Sequence, residues 1–258
     1  MEQTQRRAWV MLPAVAAVVV LVAAACGDSN DGPSTVVTAT SAATSTANVP
    51  GADERATLTG SLTLDGEPLE TEFLGARVIR DGLATACQYA IPPITGGRYA
   101  IEIVSDTEVR GCGAPGAEVL LWTFAGDTYY FATEKAPWPG NDAEATFDAT
   151  FSSSAPDGAS TPVTEMKGHL FDREARELPG GTVIEAYAGE VLCGVTSLRY
   201  GDAVERFYTL IVAGPDAVPG CAEGATLTFT IDGAPAVETA VNDLGGGSAG
   251  RELDLTLR

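Results

Sequence analysis

The chain repeats itself. Gly60 answers to Gly168, Gly82 and Cys87 to Gly189 and Cys193, and Tyr99-Ala100-Ile101 to Tyr208-Thr209-Leu210. The correspondence runs on through Gly111-Cys112 and Gly116 with Gly220-Cys221 and Gly224, then Gly126 with Gly233. It closes with Phe147-Asp148-Ala149-Thr150-Phe151 against Leu253-Asp254-Leu255-Thr256-Leu257, and the offset stays between 106 and 109 residues throughout. Self-similarity at a nearly fixed offset marks one structural unit used more than once. It divides most of the chain into residues 56–152 and 162–258, joined by a Ser/Ala/Pro/Gly stretch at 153–161.

Within each copy the apolar residues alternate with polar ones. Leu58, Gly60, Leu62 and Leu64 face one way, Thr57, Thr59, Ser61 and Thr63 the other, and Asp65-Gly66 turns the chain. Ala225, Leu227, Phe229 and Ile231 alternate with Thr226, Thr228 and Thr230, and Leu253, Leu255 and Leu257 with Asp254 and Thr256. Short strands with one apolar face each need a second sheet to cover them. The pattern predicts an all-β protein of two tandem antiparallel β-sandwich domains, with no amphipathic helix after Cys26.

Arg6 and Arg7 precede an uncharged run from Ala8 to Ala25 that ends in Val22-Ala23-Ala24-Ala25-Cys26. A positive end, an apolar core and small residues form an export signal, and eighteen residues also just reach spanning length. The stretch resembles a bacterial lipoprotein signal over residues 1–25. It departs from that pattern in carrying Ala23 three residues before the cysteine, where Leu is usual, with Leu21 two residues further upstream. The resemblance implies a lipid on Cys26, which becomes the first residue of the mature chain. A retained anchor, or cleavage near Ala25 into a plain secreted protein, are the alternatives, and each leaves the body outside the cytoplasm. Residues 26–55 are then the lipidated cysteine and a Ser/Thr/Ala-rich tether, whose coil dimensions give a span of roughly 30 Å.

Five cysteines are present. With Cys26 assigned to the lipid, Cys87, Cys112, Cys193 and Cys221 fall into two pairs, 25 and 28 residues apart, and an exported chain should hold them as disulfides. The sequence carries 15 basic and 35 acidic residues, a net charge of −20. Residues 56–152 hold 14 acidic against 5 basic side chains and residues 153–258 hold 16 against 7, so each half nets −9. Such a chain repels a phosphate backbone, which excludes nucleic acid as a partner.

The shared frame of Gly, apolar strand, turn glycine, Cys, Tyr-x-apolar strand, Gly-Cys and closing apolar strand resembles two groups of modules in secreted bacterial proteins. These are the immunoglobulin-like and the carboxypeptidase-regulatory-like (prealbumin-type) β-sandwiches. The resemblance implies an extracytoplasmic scaffold or binding module without catalysis of its own, held to the membrane through Cys26 and facing a cell-envelope glycan or protein partner.

Signals for chemistry are few. His169 is the one histidine, and alternation turns it outward while Met166, Gly168 and Leu170 turn inward. A single His with paired cysteines leaves no ordinary zinc set. Gly111-Cys112-Gly113-Ala114-Pro115-Gly116 matches GxGxxG formally, but a strand at 119–124 follows instead of the helix a dinucleotide site requires. Asp142 with Glu144 and Asp202 with Glu205 lack the spacing of a calcium loop. No cofactor or metal is expected. Aromatic residues offer the remaining ligand surface. Trp122 aligns with Phe229 and is expected in the core. Tyr129, Tyr130 and Trp138 cluster where the second copy has no aromatic residue, so they are the candidate surface for a carbohydrate or peptide. Packing of Tyr129, Tyr130 and Phe131 inward, with Trp138 capping the sandwich end, is the alternative.

Overall fold

A computed structural model describes residues 54–88, 94–126, 128–199, 207–244 and 250–258. The export signal, Cys26 and the Asp202/Glu205 pair lie outside the described residues. None of the described residues is helical, and every regular element is a strand.

The first half contains β1 (Ala56–Leu64), β2 (Glu67–Pro68), β3 (Gly75–Arg80), β4 (Leu83–Ala86), β5 (Arg98–Ile103), β6 (Glu118–Ala125), β7 (Thr128–Phe131), β8 (Ala136–Pro137), β9 (Glu144–Thr146) and β10 (Ala149–Phe151). The second contains β11 (Val163–Gly168), β12 (Leu170–Phe171), β13 (Val183–Ala188), β14 (Val191–Ser197), β15 (Tyr208–Ala213), β16 (Thr226–Ile231), β17 (Ala234–Val241), β18 (Arg251–Glu252) and β19 (Leu255–Thr256).

The pairings in the two halves match. In the first, β1 lies antiparallel to β5 and parallel to β9 and β10, and a second sheet has the order β4-β3-β6-β7. In the second, β11 lies antiparallel to β15 and parallel to β18, β12 lies parallel to β19, and the facing sheet has the order β14-β13-β16-β17. Alternation alone could not show the direction of the closing strand, which runs parallel to the first strand rather than antiparallel.

The alternating apolar residues fill two cores. Leu58, Leu62, Ile101, Ile103, Leu121 and Phe151 are buried in one, and Met166, Leu170, Ile184, Leu210, Phe229 and Leu255 in the other. At about 25 cal/mol per Å² of apolar surface, each such side chain contributes roughly 1.5–3 kcal/mol of burial.

One contact explains why Gly, Tyr and Asp recur in register. The Tyr99 hydroxyl donates to the Phe147 carbonyl at 2.5 Å, and the Tyr208 hydroxyl donates to the Leu253 carbonyl. Gly60 and Gly168 make room, since a Cβ there would stand 2.1 and 2.2 Å from those same oxygens. Next along, Asp148 Oδ1 accepts the Ser61 amide and Asp254 Oδ1 accepts the His169 amide, both at 2.8 Å. Burial raises both phenols well above the usual tyrosine value. The Ser61 hydroxyl and amide hold the Asp148 carboxyl below the usual carboxylate range.

The stretch at 153–161 is not slack. The Phe131 amide donates to the Pro156 carbonyl at 2.8 Å and the Ala159 amide to the Ala132 carbonyl at 2.8 Å, so the segment runs beside β7.

Candidate functional site

Two features stand out: an aromatic sheet face and the seam where the halves meet. On the face, β6 and β7 pair Trp122 with Phe131 and Phe124 with Tyr129. Directly opposed residues share a face, so these four rings lie together on one side of the sheet, with Phe131 also packed against the edge of the first core. Phe73 joins them. Its ring centroid lies 4.7 Å from that of Trp122 and 5.4 Å from that of Phe124, and Tyr129 stacks on Trp122 at 5.5 Å.

Trp122 is therefore not a core residue. Val119, Leu121 and Thr123 are buried against the core, and Trp122 takes the opposite phase. Its indole lies over Gly75, where a Cβ would come within 2.3 Å of the ring, and its Nε1–H is buried without an acceptor. Phe229, its expected counterpart, is buried in the second core.

Trp138 does not belong to this face. It is only 9% exposed and packs on Gly113, where a Cβ would stand 2.1 Å from the ring. A ring seated so deeply cannot offer a flat side to a sugar, and it caps the core instead. Tyr130 pairs with Thr123, the core-facing phase, and is half-buried against the first core. Of the three expected ligand residues, Tyr129 alone lies on the aromatic face. That face is largely self-satisfied, because the Phe73 and Tyr129 rings both pack on Trp122, while Phe124 at 40% is its most open member.

Arg77 links this face to the seam. It projects from β3 onto the same side, with its guanidinium carbon 4.8 Å from the centre of the Phe131 ring, a cation–π distance. Its Nη2 donates to Glu165 Oε2 of β11 at 3.1 Å. Burial pushes the guanidinium below its usual value, and the Glu165 charge opposes that shift.

The rest of the seam is built around β4, which packs against β14 and β15 of the other half. The buried Thr85 hydroxyl donates to the Val195 carbonyl at 3.0 Å, and the Arg110 amide donates to Ser197 Oγ at 3.0 Å. Arg199 donates to the Gln88 carbonyl. The left-handed Asp81-Gly82 turn that joins β3 to β4 abuts Ala217, whose carbonyl would stand 2.3 Å from a Cβ on Gly82. Both halves fall within one compact unit of the chain.

The cysteines pair as Cys87–Cys112 and Cys193–Cys221, with S–S distances of 2.05 and 2.04 Å. His169 packs on Phe207 with ring centroids 4.0 Å apart and the planes tilted by 46°, and its Nδ1 lies 3.5 Å from Glu177 Oε1. Among the described residues no group of three or more His, Cys, Asp or Glu is placed to hold a metal ion. A cleft of about 150 Å³ beside the seam is lined by Arg80, Asp81, Arg110, Glu185 and Leu192 among others. It is small beside the ~300–1,000 Å³ of typical small-molecule sites. Sequence reasoning missed the seam, because Thr85 and Gly111 carry no local signal of a partner more than eighty residues away.

No protein-family model and no curated protein matches the chain. Partial likenesses exist among solved structures. The Bacillus anthracis TIE protein is 7% identical with a TM-score of 0.24, over 80% of this chain and 34% of that one. A Streptococcal ancillary pilin is 14% identical with a TM-score of 0.21, over 80% and 63%. The shaft pilin SpaA from Lactobacillus rhamnosus GG is 9% identical with a TM-score of 0.20, over 80% and 98%. The chain thus spans about a third of the first protein and under two thirds of the second. Superpositions this partial say nothing of what the chain does.

Proposed function

We propose that this is an envelope surface lipoprotein with a structural or adhesive role. Cys26 carries the lipid, residues up to 55 form the tether, and residues 56–152 and 162–258 are two copies of one module displayed without catalysis. The seam is the observation that supports the reading best. The buried Thr85 to Val195 hydrogen bond and the partly buried Arg77–Glu165 pair join two sandwiches, each with its own internal disulfide, into one body. Several of the buried polar groups of the described residues, Thr85, Ser197 and Arg77 among them, are engaged in joining the halves, which suits a display element better than a reaction vessel. The disulfides suit an oxidising, extracytoplasmic setting.

The test is metabolic labelling with radioactive palmitate in an expressing bacterium. The full chain should take up label and partition with detergent, and Cys26→Ser should do neither. Equal labelling of the two, or recovery of unlabelled protein from the cytosol, would overturn the anchored reading. A second reading, a surface for a carbohydrate or peptide, is supported by the exposure of Phe124 beside Tyr129.

A further inference from the structure

Both disulfides sit at the seam. Thr85, which donates across it, is two residues before Cys87, and its acceptor Val195 is two residues after Cys193. Gln88, which accepts from Arg199, directly follows Cys87. Arg110 and Gly111 directly precede Cys112. The Arg110 amide reaches Ser197, and a Cβ on Gly111 would lie 2.5 Å from Thr85 Oγ1 and 3.0 Å from Val195 Cγ1. On the other side, Ala217 and Val218 meet Gly82, and the Val218 carbonyl accepts the Cys221 amide at 3.0 Å.

Each bridge therefore ties together two of the segments through which its half touches the other, although β15 and the Arg77–Glu165 pair also cross the seam. Cys87–Cys112 ties the end of β4 to the turn at 105–113, and Cys193–Cys221 ties β14 to the turn at 214–221. The β1–β10 pair, which makes none of these contacts, carries no bridge. A contact surface made of two separate segments is pre-organised when those segments are cross-linked, and pre-organised surfaces associate with less loss of chain freedom.

We propose that the two disulfides lock the joint between the halves, so that the protein is a stiff two-module body when oxidised and a jointed pair when reduced. Opening the lock consumes a dithiol reductant. Each bridge takes two electrons and two protons, yielding two cysteine thiols, and the dithiol leaves as its own disulfide. The inference concerns the joint alone and holds whether or not Cys26 is acylated.

Hydrogen exchange on the full chain tests it. In Cys87→Ala/Cys112→Ala, residues 194–199 of the second half should exchange at least tenfold faster, although that half keeps its own bridge. The β16 and β17 amides, and those of β1 and β5, should stay as protected as before. The reciprocal variant, Cys193→Ala/Cys221→Ala, should release residues 83–88 and 110–111 while the first core stays protected. Faster exchange confined to the half that lost its bridge would overturn the proposal. So would loss of protection throughout that half's core strands, because the bridge would then be holding the sandwich rather than the joint.

Discussion

Replacing Glu165 by Gln removes the carboxylate that faces Arg77 while keeping the side chain's shape. The Arg77 side chain is 10% exposed, that of Glu165 is 25% exposed, and the two meet at 3.1 Å. At that distance two unit charges attract by about 5 kcal/mol for an effective dielectric constant near 20. Much of that attraction is offset by the cost of taking the guanidinium out of water, and this cost persists when the carboxylate is gone. What remains for Arg77 is the neutral amide and the Phe131 ring. A fully buried pair loses about 3–5 kcal/mol when one partner is removed, and the solvent that reaches Glu165 lowers the expectation to about 2 kcal/mol. Arg77→Met should behave differently. It removes the desolvated charge together with its penalty, leaves a carboxylate that reaches water, and lays a thioether against the rings, for a cost below about 1 kcal/mol. Urea unfolding of the full chain followed by tryptophan fluorescence reads both variants, and the double mutant gives the coupling between them. If Glu165→Gln falls within about 0.5 kcal/mol of the parent, the range of an ordinary surface change, or if Arg77→Met is the costlier variant, the pair is a screened surface contact and the halves are not held there.

Gly60→Ala and Gly168→Ala should each cost about 2–3 kcal/mol, because the new methyl meets a backbone carbonyl that flexible side chains cannot relieve; thermal melts that leave either variant unchanged would refute the close approach. Asp65 and Asp148 are held below the usual carboxylate range by Ser153 and Ser61 respectively. Between the lowered folded value and the unfolded value of about 3.9, the unfolded chain binds more protons, so stability is present above that window and falls as pH drops through it. The urea midpoint should therefore decline below about pH 4, less steeply in Asp148→Asn, and an identical slope in that variant would contradict the assignment. For the aromatic face, a peptidoglycan or glycan pull-down that loses signal on Phe124→Ala or Tyr129→Ala, but not on Arg98→Ala, would support a ligand there, and equal retention of all three would exclude it.

The sandwich strands were legible because their polar faces are Thr and Ser and their inner faces Leu and Gly, as at Thr57 to Leu64. The phase of β6 was not. Val119-Leu120-Leu121-Trp122 is continuously apolar, so period-two reading has nothing to fix on, and a constant offset between the copies placed Trp122 in the core beside Phe229. For Trp138 the sequence left two readings open, a ligand surface or a cap on the sandwich end, and its burial on Gly113, more than twenty residues away, decides for the cap. The disulfide partners followed from spacing and compartment, yet their position at the seam did not, because contacts between copies obey no local period. Composition marked residues 153–161 only as the joining stretch, and it could not show that Pro156 and Ala159 are hydrogen-bonded to β7 and its continuation.

In each half the strand that enters and the strand that leaves lie side by side and point the same way, β1 beside β9 and β10, β11 and β12 beside β18 and β19. A pull on the two ends of a half drags these neighbours lengthwise past each other, so the rungs between them share the load and give way together. Antiparallel neighbours would instead be peeled apart one rung at a time. If the chain is anchored through Cys26 as proposed, a pull on its far end would meet each half along its tougher axis.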